Sequence, residues 1–353
     1  MLKNILSKIY GFFVGKRNDK FDNSQEIIKC RVPVISVGNL SVGGTGKTPF
    51  VQMLTKYFIS KGFKPGIVGK GYKRQSKGEV IVGDGTKVMV SATIGGDEMV
   101  LLADSLNVPV IAHDSKAKAA LSMQEKFDVD LIIVDDGFQH RQLHRDLDIV
   151  LIDKETYENP ELMPAGRLRE PIESIKRADV VCITGSFELQ NNFTQHFKEN
   201  VVRIRVKPVQ ANPYYMIDKF QLKIRDSIKN PVNCIAFAGI AKPNRFFDML
   251  KDLGYSALDS HSFADHHNYS ISDLKLLIDL CNKNKCDHIA TTEKDSAKII
   301  EFNDILTENN IKCVVFPIAL TITDGKIDFF KILGSRINRL IHNKRKSTIS
   351  NHE

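Results

Sequence analysis

Short apolar runs alternate along the chain with segments in which apolar residues recur every three or four positions. The uninterrupted runs predict buried strands, and the helical spacing predicts amphipathic helices. Strands separated by helices are typical of a mostly parallel sheet with helices on both faces, so we expect an α/β fold. The predicted strands of this first part are 32–39, 65–68, 79–82, 88–90, 108–112, 131–134, 149–152 and 180–184, and the predicted helices are 47–61, 97–105, 116–126 and part of 173–177.

A second, smaller α/β unit is predicted to begin near residue 230. Its strands are expected at 234–238, 288–291 and 313–317, and its helices at 244–253, 272–281 and 329–342. The segment before it is rich in β-forming residues and indicates a linker. The predicted organisation is an N-terminal helix at 1–25, a large core at 26–200, a β-rich linker at 201–229, the smaller unit at 230–342 and a polar tail at 343–353.

The N-terminal helix has apolar residues on one side and lysines on the other. One interpretation is an interfacial helix whose apolar side enters a lipid surface and whose cations face anionic headgroups. The alternative is a helix packed on the protein's own core, which the pattern alone favours because most amphipathic helices face a core. The apolar residues concerned are Leu2, Ile5, Leu6, Ile9, Phe12 and Phe13.

The amino-acid composition excludes several classes of protein. The 353 residues carry a formal charge of +8, which favours anionic partners or simple solubility. No apolar run approaches the ~18–20 residues that span a bilayer. The six cysteines are scattered, so a zinc cluster is not expected and a reducing compartment fits best. Tryptophan is absent and the aromatic residues do not interleave with the cations, so we expect no nucleic-acid partner.

The strongest chemical signal is SVGGTGKT at 41–48, between a predicted strand and a predicted helix. It matches the phosphate-loop pattern except that serine replaces the first glycine. In such a loop, backbone N–H groups and the helix N-terminus surround phosphate oxygens, while the lysine reaches the β- and γ-phosphates and the threonine hydroxyl serves Mg²⁺. We therefore predict that a nucleoside triphosphate is bound by Ser41, Gly43, Gly44, Thr45, Gly46, Lys47 and Thr48.

A phosphate loop needs an acidic metal anchor at the end of a buried strand. Four apolar residues at 131–134 lead into Asp135 and Asp136. Adjacent carboxylates repel each other unless a cation lies nearby, so both residues are predicted, with Thr48, to serve Mg²⁺. Together the two motifs indicate a nucleotide phosphotransferase or phosphohydrolase, and they leave its acceptor open.

Several further segments resemble one family. DDGFQH at 135–140, GRLREP at 166–171, FADHH at 263–267 and TTEKD at 291–295, joined to this phosphate loop, are similar to tetraacyldisaccharide 4′-kinases, the lipid A 4′-kinases of Gram-negative bacteria. The resemblance covers about residues 30–316. Lys70 stands where that family is expected to carry arginine, and it keeps the charge without the planar fork.

The resemblance implies a reaction and a location. The γ-phosphate of ATP would move to the 4′-hydroxyl of a tetraacylated glucosamine disaccharide 1-phosphate, giving lipid IVA. Because that acceptor is a membrane lipid, the protein would be peripheral on the cytoplasmic face of the inner membrane, against an anionic surface. This favours the interfacial interpretation of the N-terminal helix. We expect a monomer.

The resemblance also implies a catalytic pair. Asp97 in GGDE matches the family's proposed base, and His266 in FADHH matches its partner, with the adjacent His267 as the alternative. Such a pair suits the reaction because the acceptor hydroxyl must lose its proton. From the residues alone, Asp97 is better explained as the N-cap of the following helix, and only the resemblance reverses that preference.

Two further groups of residues are weaker candidates. In TTEKD, the three charged residues Glu293, Lys294 and Asp295 could face the nucleotide or only cap a helix. In GRLREP, arginines suit phosphate through their planar fork, although a structural ion-pair loop explains them equally well. The candidates for substrate contact are Arg167, Arg169, Glu170, Gln139 and His140.

Three other functions share part of this pattern. A soluble phosphate-loop kinase or NTPase acting on another small molecule would need no membrane helix. A nucleic-acid-dependent ATPase is suggested only by the charge. A nucleotide-switched binding module would use the loop without catalysis.

Overall fold

The computed structural model describes residues 2–22, 27–216, 228 and 230–342, and its strands and helices are defined here. The strands are β1 (Val34–Asn39), β2 (Pro65–Gly69), β3 (Val80–Asp84), β4 (Pro109–Ala112), β5 (Leu131–Asp135), β6 (Leu147–Asp153), β7 (Val180–Thr184), β8 (Val202–Gln210), β9 (Tyr214–Tyr215), β10 (Asn233–Ala238), β11 (Ser256–Ser262), β12 (His288–Thr292), β13 (Lys312–Phe316) and β14 (Ile318–Asp324). The α-helices are α1 (Leu2–Asp22), α2 (Lys47–Ser60), α3 (Ala92–Gly95), α4 (Asp97–Leu106), α5 (Lys116–Lys126), α6 (Lys154–Glu158), α7 (Asn191–Thr194), α8 (Pro243–Asp252), α9 (Ile271–Asn284), α10 (Glu293–Ile299), α11 (Asn303–Glu308) and α12 (Lys326–Ile332). Short 3₁₀ segments occupy Ile172–Arg177 and Ile300–Phe302, and a π-helical segment occupies Leu333–Asn338.

The predicted α/β fold is confirmed by two sheets of different size. The larger sheet has nine strands in the order β14-β8-β7-β6-β1-β5-β2-β4-β3, and the smaller has five in the order β11-β10-β12-β13-β9. In the larger sheet, β14 and β3 are antiparallel to their neighbours and the other pairings are parallel. In the smaller sheet, the antiparallel strand is β9.

The central strands form because they are apolar throughout. β1 and β5 are buried at every position, as strands covered on both faces should be. Helix α2 packs on the sheet through Phe50, Leu54 and Phe58, which are at most 1% exposed. Each such side chain withdrawn from water contributes about 1.5–3 kcal/mol. This core gives the loops at the sheet edge a rigid support.

The strand order places a ligand site at the carboxyl edge beside β1. After β1 the chain builds β2, β3 and β4 on one side of the sheet, and later builds β6, β7 and β8 on the other. In an open α/β sheet, ligands bind outside the carboxyl ends of the strands where the order reverses. The predicted phosphate loop follows β1, and the predicted carboxylates end the adjacent β5.

The chain passes between the two sheets twice, and this differs from the predicted organisation. β8 is part of the large sheet although its residues were assigned to a linker, 201–229. After the small sheet, β14 returns to pair with β8, and Phe329 of α12 packs on Phe50 of α2 with ring centroids 6.1 Å apart. Residues 318–342 therefore belong to the large unit and not to a C-terminal unit spanning 230–342.

Smaller differences concern the predicted strand at 88–90 and the segments outside the described residues. Around 88–90 the structure has one isolated bridge, between Gly83 and Val88. Residues 217–227 of the predicted linker and the predicted tail at 343–353 lie outside the described residues.

Candidate active site

The predicted phosphate loop joins β1 to α2. β1 ends at Asn39, and α2 begins at Lys47. Gly46 precedes the helix with φ of 87°, a left-handed conformation that suits glycine. The first N–H groups of a helix have no partner within the helix, so the start of α2 favours an anion at the loop.

Arg167 lies against this loop. Gly43 has φ of 113°, and a Cβ at Gly43 would lie 2.0 Å from Arg167 Nη2. The guanidinium donates to the Val42 carbonyl, 2.6 Å from Nη2, and pairs with Glu155. Glu155 also pairs with Lys242 Nζ at 2.7 Å, which links the two units across the loop. Arg167 therefore reaches the loop as a cation whose charge is balanced by Glu155.

Ser41 and Thr45, both predicted to bind phosphate, are buried. The Ser41 hydroxyl is hydrogen-bonded to Thr156 Oγ1 at 2.7 Å. The Thr45 hydroxyl accepts a hydrogen bond from Asn39 Nδ2 at 3.0 Å. These side chains support the loop from within the core, so any phosphate contact by the two residues would come from their backbone.

Asp136, the second of the adjacent carboxylates, is surrounded by three cations. Its carboxylate oxygens lie 2.8 Å from Arg169 Nη1, 3.7 Å from Lys47 Nζ and 3.9 Å from Lys116 Nζ. Burial alone would raise the pKa of Asp136, but these cations, Lys116 foremost, outweigh it and lower the pKa to about 2. Asp136 is therefore ionised and neutralised by the protein itself.

Asp135, the last residue of β5, has a different environment. It is 5% exposed, and Oδ1 has no hydrogen-bond partner among the described residues. Burial raises the pKa of Asp135 to about 7, and the nearby charges of Glu98 and Asp136 add to this effect. A buried ionised carboxylate needs a compensating cation. The site is therefore short of positive charge at Asp135.

Lys116 and Glu98 are site residues that the sequence analysis missed. Lys116 begins α5, is 6% exposed, and donates to the backbone carbonyl of Asp136. Burial lowers the pKa of Lys116. Lys116 follows β4 after a short connection at the carboxyl edge of the sheet, and this position is the signal that could have found it.

Two of the predicted substrate residues make structural contacts. Glu170 is 1% exposed and pairs with Arg177 at 2.5 Å. Gln139 Nε2 donates to the Asn39 carbonyl at 2.8 Å, which ties the loop after β5 to the end of β1. Both side chains therefore hold the loops in place.

Of the remaining candidates, Arg169 contacts one of the paired carboxylates, and His140 lies near several cations. Arg169 Nη1 contacts both carboxylate oxygens of Asp136, at 3.0 and 2.8 Å. Burial lowers the pKa of His140 to about 4, and neighbouring cations, with Lys116 the largest, act in the same direction. Near neutral pH, His140 is therefore uncharged.

Asp97 is the first residue of α4, and its place depends on the preceding glycine. Gly96 has φ of 89°, and a Cβ there would lie 2.7 Å from Gly71 Cα. Gly96 is the N-cap, and no side chain caps this helix end. The N-cap interpretation of Asp97 is therefore wrong, and the carboxylate is available for other contacts.

The carboxylate of Asp97 meets His266 across the two units. His266 Nδ1 lies 3.2 Å from Asp97 Oδ2, whereas His267 Nε2 contacts Asp273 at 3.1 Å. Burial alone would raise the pKa of Asp97, but the hydrogen bond from His266 and the charge of Lys298 outweigh it and lower the pKa. Of the two adjacent histidines, His266 therefore faces Asp97, which is held ionised.

Lys294 fixes the tautomer of that histidine. Its Nζ lies 3.1 Å from His266 Nε2. Because an ammonium group only donates, Nε2 accepts, and the ring proton lies on Nδ1, where it is donated to Asp97. In the same motif, the Asp295 carboxylate accepts from the Thr292 hydroxyl at 2.7 Å and from Gly239 N at 3.1 Å. Lys294 thus reaches the site, while Asp295 braces the helix start.

Helix α1 is hydrogen-bonded to the loops that carry these residues. The Tyr10 hydroxyl donates to the Arg169 carbonyl at 2.8 Å, and Arg17 Nη2 donates to the Gln139 carbonyl at 2.9 Å. Ser7 Oγ donates to the Leu162 carbonyl at 2.9 Å. The helix is therefore attached directly to the walls of the site.

The apolar side of α1 is open to solvent. In the helix only Val14 is buried. The predicted apolar residues are exposed by 43–71%, in the order Leu2 71%, Ile5 51%, Leu6 43%, Ile9 50%, Phe12 58% and Phe13 64%. These residues do not pack on the protein's own core, which contradicts that alternative.

The described residues contain neither a bilayer-spanning helix nor a cluster of three metal-ligating side chains. None of the helices in this part of the chain is both long and apolar enough to cross a bilayer. Within the same residues, no group of three or more histidine, cysteine and acidic side chains is arranged to hold a metal ion.

Known proteins resemble the chain over nearly its whole length. Residues 1–338 match the family model described as tetraacyldisaccharide-1-P 4′-kinase. A tetraacyldisaccharide 4′-kinase from Chlorobium luteolum is 34% identical over 344 residues, which cover 90% of this chain and 92% of that protein. Another, from Chlorobium chlorochromatii, is 35% identical over 347 residues, which cover 95% and 91%.

A solved structure agrees with these relatives. The crystal structure of LpxK from Aquifex aeolicus in complex with ATP superposes with a TM-score of 0.73 at 30% identity, covering 98% of this chain and 99% of that one. The family predicted from the motifs is confirmed: the chain belongs to the tetraacyldisaccharide-1-phosphate 4′-kinases.

Proposed function

We propose that this protein transfers the γ-phosphate of ATP to the 4′-hydroxyl of tetraacyldisaccharide 1-phosphate, giving lipid IVA. The observation that carries the proposal is the contact of Asp97 with His266 at the edge that also holds the phosphate loop. A carboxylate oriented by a histidine can accept the proton of an alcohol, and the loop holds the phosphate donor. Family membership supplies the identity of the acceptor.

ATP would be held by the loop at residues 43–48. Backbone N–H groups of the loop and the start of α2 would surround its phosphates, and Lys47 would reach the β- and γ-phosphates. In the structure Lys47 Nζ lies 3.7 Å from Asp136. Asp136 would therefore hold Lys47 in place and share the cationic cluster with the incoming phosphates.

The residues present fit a magnesium ion. Among the described residues, one oxygen of the Asp135 carboxylate has no hydrogen-bond partner, and the nearby cations Lys47 and Lys116 do not offset its burial. Thr48 follows Lys47 in the loop. Mg²⁺ prefers oxygen ligands and keeps several waters, so a threonine hydroxyl and one carboxylate suffice beside phosphate oxygens. Bound there, the ion would neutralise charge on the transferred phosphate. Of the two predicted acidic anchors, Asp135 is the better candidate because Asp136 is already neutralised.

Replacing Asp135 with asparagine should raise the Mg²⁺ concentration needed for half-maximal activity by at least about tenfold, because a charged ligand is lost. The measurement is a Mg²⁺ titration of phosphate transfer, with Mn²⁺ binding followed by electron paramagnetic resonance. Asp248→Asn on the exposed side of α8 is the matched control. An unchanged titration in Asp135→Asn would remove this residue from the metal site.

Asp97 would take the acceptor proton. Both neighbouring donors, His266 Nδ1 and Lys298 Nζ, contact Oδ2, each at 3.2 Å. Oδ1 is the oxygen that remains for the 4′-hydroxyl. In phosphoryl transfer the base mainly orients the nucleophile and takes the proton late, so a carboxylate of low pKa is adequate. The proton would leave the sugar oxygen for Asp97 as that oxygen bonds to the γ-phosphorus, while the bond from this phosphorus to the β–γ bridging oxygen breaks and ADP leaves with that oxygen.

Arg167 and Arg169 are proposed to attract the anionic groups of donor and acceptor. Each already balances a carboxylate, Glu155 and Asp136 respectively. Planar guanidinium groups bind phosphate oxygens through paired N–H groups. Phosphate binding would therefore compete with these internal ion pairs.

The protein is proposed to act on the cytoplasmic face of the inner membrane. The exposed apolar side of α1 and its lysines have the composition of an interfacial helix. Because α1 is bonded to the site through Tyr10 and Arg17, it would bring the site to the lipid surface. A soluble acceptor would give this apolar side no role.

The double substitution Phe12→Ser with Phe13→Ser should weaken binding to anionic vesicles at least about 100-fold, because each phenylalanine withdrawn from water contributes about 1.5–3 kcal/mol. Vesicle co-sedimentation at several protein concentrations measures this effect. Ile327→Ser, at a residue 84% exposed on α12, is the control for losing a surface apolar group. Equal binding of the double variant and wild type would contradict a membrane role for α1.

The decisive experiment for the whole proposal is direct. The protein is incubated with γ-labelled ATP, Mg²⁺ and tetraacyldisaccharide 1-phosphate in mixed micelles, and the lipid fraction is examined for label at the 4′ position. Label on the lipid is expected. ATP turnover that neither labels nor responds to the lipid would overturn the proposal.

A further inference from the structure

Lys298 is a buried lysine in the small unit, outside the motifs that identify the family. It lies on α10 and is 4% exposed. A buried ammonium is costly unless it is paired and hydrogen-bonded. Its partners should therefore show what it does.

The first partner is the carboxylate of Asp97 on α4 of the large unit. Lys298 Nζ lies 3.2 Å from Asp97 Oδ2, the oxygen that His266 Nδ1 also contacts at 3.2 Å. Two donors from the small unit thus converge on one oxygen of a carboxylate that belongs to the other unit. This restricts rotation of the carboxylate and leaves Oδ1 as its open side.

The second partner is the loop that carries the histidine. Lys298 Nζ donates to the backbone carbonyl of His267 at 3.1 Å. The preceding residue, His266, has φ of 61°, an uncommon conformation for a residue with a Cβ. A partly buried hydrogen bond at the next carbonyl helps to hold this strained turn. Lys298 therefore contacts Asp97 directly, and it acts on His266 only through the carbonyl of the next residue, His267.

We propose that Lys298 is a positioning residue that aligns Asp97 and His266 and keeps Asp97 ionised for proton transfer. The proposal rests on the function given above, in which Asp97 receives the proton of the acceptor. Lys298 itself would not touch the substrate, since its ammonium is occupied by Asp97 and the His267 carbonyl, with Asp295 Oδ1 at 3.8 Å.

The charged groups around Asp97 agree with this role. His266 and Lys298 of the small unit face its carboxylate, and both favour the ionised form. Glu98 is adjacent in sequence, and its charge acts on Asp135. Lys294 lies beyond His266, bonded to the far ring nitrogen. Lys298 therefore places an ammonium group in direct contact with Asp97.

Lys298→Met keeps most of the side-chain volume and removes the charge and the donors. We expect kcat to fall about 100-fold, the cost of misplacing a reacting group by about 1 Å. The KM for ATP should stay close to wild type. The acid limb of the kcat profile should move to higher pH, because Asp97 loses a cation that lowers its pKa.

Lys298→Arg restores a charged donor and should return the acid limb toward its wild-type position, with part of the turnover. Lys198→Met is the matched control, since Lys198 pairs with Asp179 away from the site. Thermal unfolding is measured for each variant. An acid limb that stays in place in a folded Lys298→Met protein would overturn the proposal.

A second measurement covers the case in which Lys298→Met does not fold. Carbon-13 NMR of labelled aspartate follows the titration of Asp97 in the His266→Ala protein, which keeps Lys298. A pKa still below the ordinary aspartate value supports the proposal, and a return to that value overturns it. Asp97→Asn distinguishes a failure of the proposed function from a failure of the Lys298 proposal. Wild-type turnover in Asp97→Asn refutes the assignment of Asp97 as the base. A loss of turnover in Asp97→Asn, combined with unaffected turnover in Lys298→Met, refutes only the role of Lys298.

Discussion

Replacing Lys47 with alanine should reduce phosphate transfer by about 1,000-fold, the largest effect expected from a single side chain in the phosphate loop. The ammonium group would contact phosphate oxygens on which negative charge builds up as the phosphoryl group moves. Removing one such preorganised donor costs about 100- to 1,000-fold in other enzymes. Lys47 also lies in the cationic cluster around Asp136, so its loss unbalances that cluster as well.

The measurement is the single-turnover rate with saturating ATP and lipid, which separates chemistry from product release. Lys56→Ala is the matched control, an exposed lysine on the same helix α2. The control should keep wild-type rates. If Lys47→Ala also transferred phosphate at the wild-type rate, the nucleotide would not be held by this loop and the proposed mechanism would fail at its first step.

Asp97→Asn should lower kcat by about 100- to 10,000-fold, the usual contribution of a positioned acid or base. Asparagine has nearly the same shape but cannot take a proton from the acceptor. ATP binding should be preserved, because Asp97 lies on α4 and not in the phosphate loop. The rate should therefore fall with little change in the KM for ATP.

Steady-state kinetics with varied ATP and fixed lipid tests this expectation, and Asp279→Asn on the exposed side of α9 serves as control. His266→Gln should produce a smaller loss, because that side chain acts through Asp97. A rise in the KM for ATP with kcat intact would assign Asp97 to nucleotide binding, contrary to the proposal.

Most of the fold followed from local patterns. The helix predicted at 116–126 and the strand predicted at 180–184 have those bounds in the structure. Both segments combine a clear period with clear ends, so neighbours in sequence decide their conformation. The predicted alternation of strands and helices was enough to give the α/β class.

The segment in which the chain returns from the small sheet to the large sheet was harder to predict. Residues 318–324 form an edge strand of the large sheet, paired with β8 more than a hundred positions earlier. Three apolar residues at 318–320 are followed by alternating polar and apolar ones, a pattern that fits the edge of either sheet. Which sheet they join is decided by long-range packing, including that of Phe329 on Phe50, and no local signal records it.

The residues of the candidate site likewise divide into those that local motifs identify and those that only the folded chain brings together. Lys47, Asp135 and Asp136 were identified because each belongs to a local sequence motif with a known role in binding phosphate or metal. Asp97 and His266 came only through family resemblance, and the structure brings them together. Lys116 and Lys298 were missed because an isolated lysine on a helix usually faces solvent. Their burial beside carboxylates from distant segments is a property of the folded chain.

The attachment of α1 has a mechanical consequence. Tyr10 and Arg17 donate hydrogen bonds to the backbone carbonyls of Arg169 and Gln139, so the apolar helix is attached directly to the loops that form the pocket. If the helix rests in a bilayer, its depth sets the height of the pocket above the acyl chains. Because the helix is attached rigidly, the pocket would lie at a fixed distance from the membrane. Acceptor hydroxyl groups at one level of the headgroup layer would then reach the pocket, and those lying deeper or higher would not.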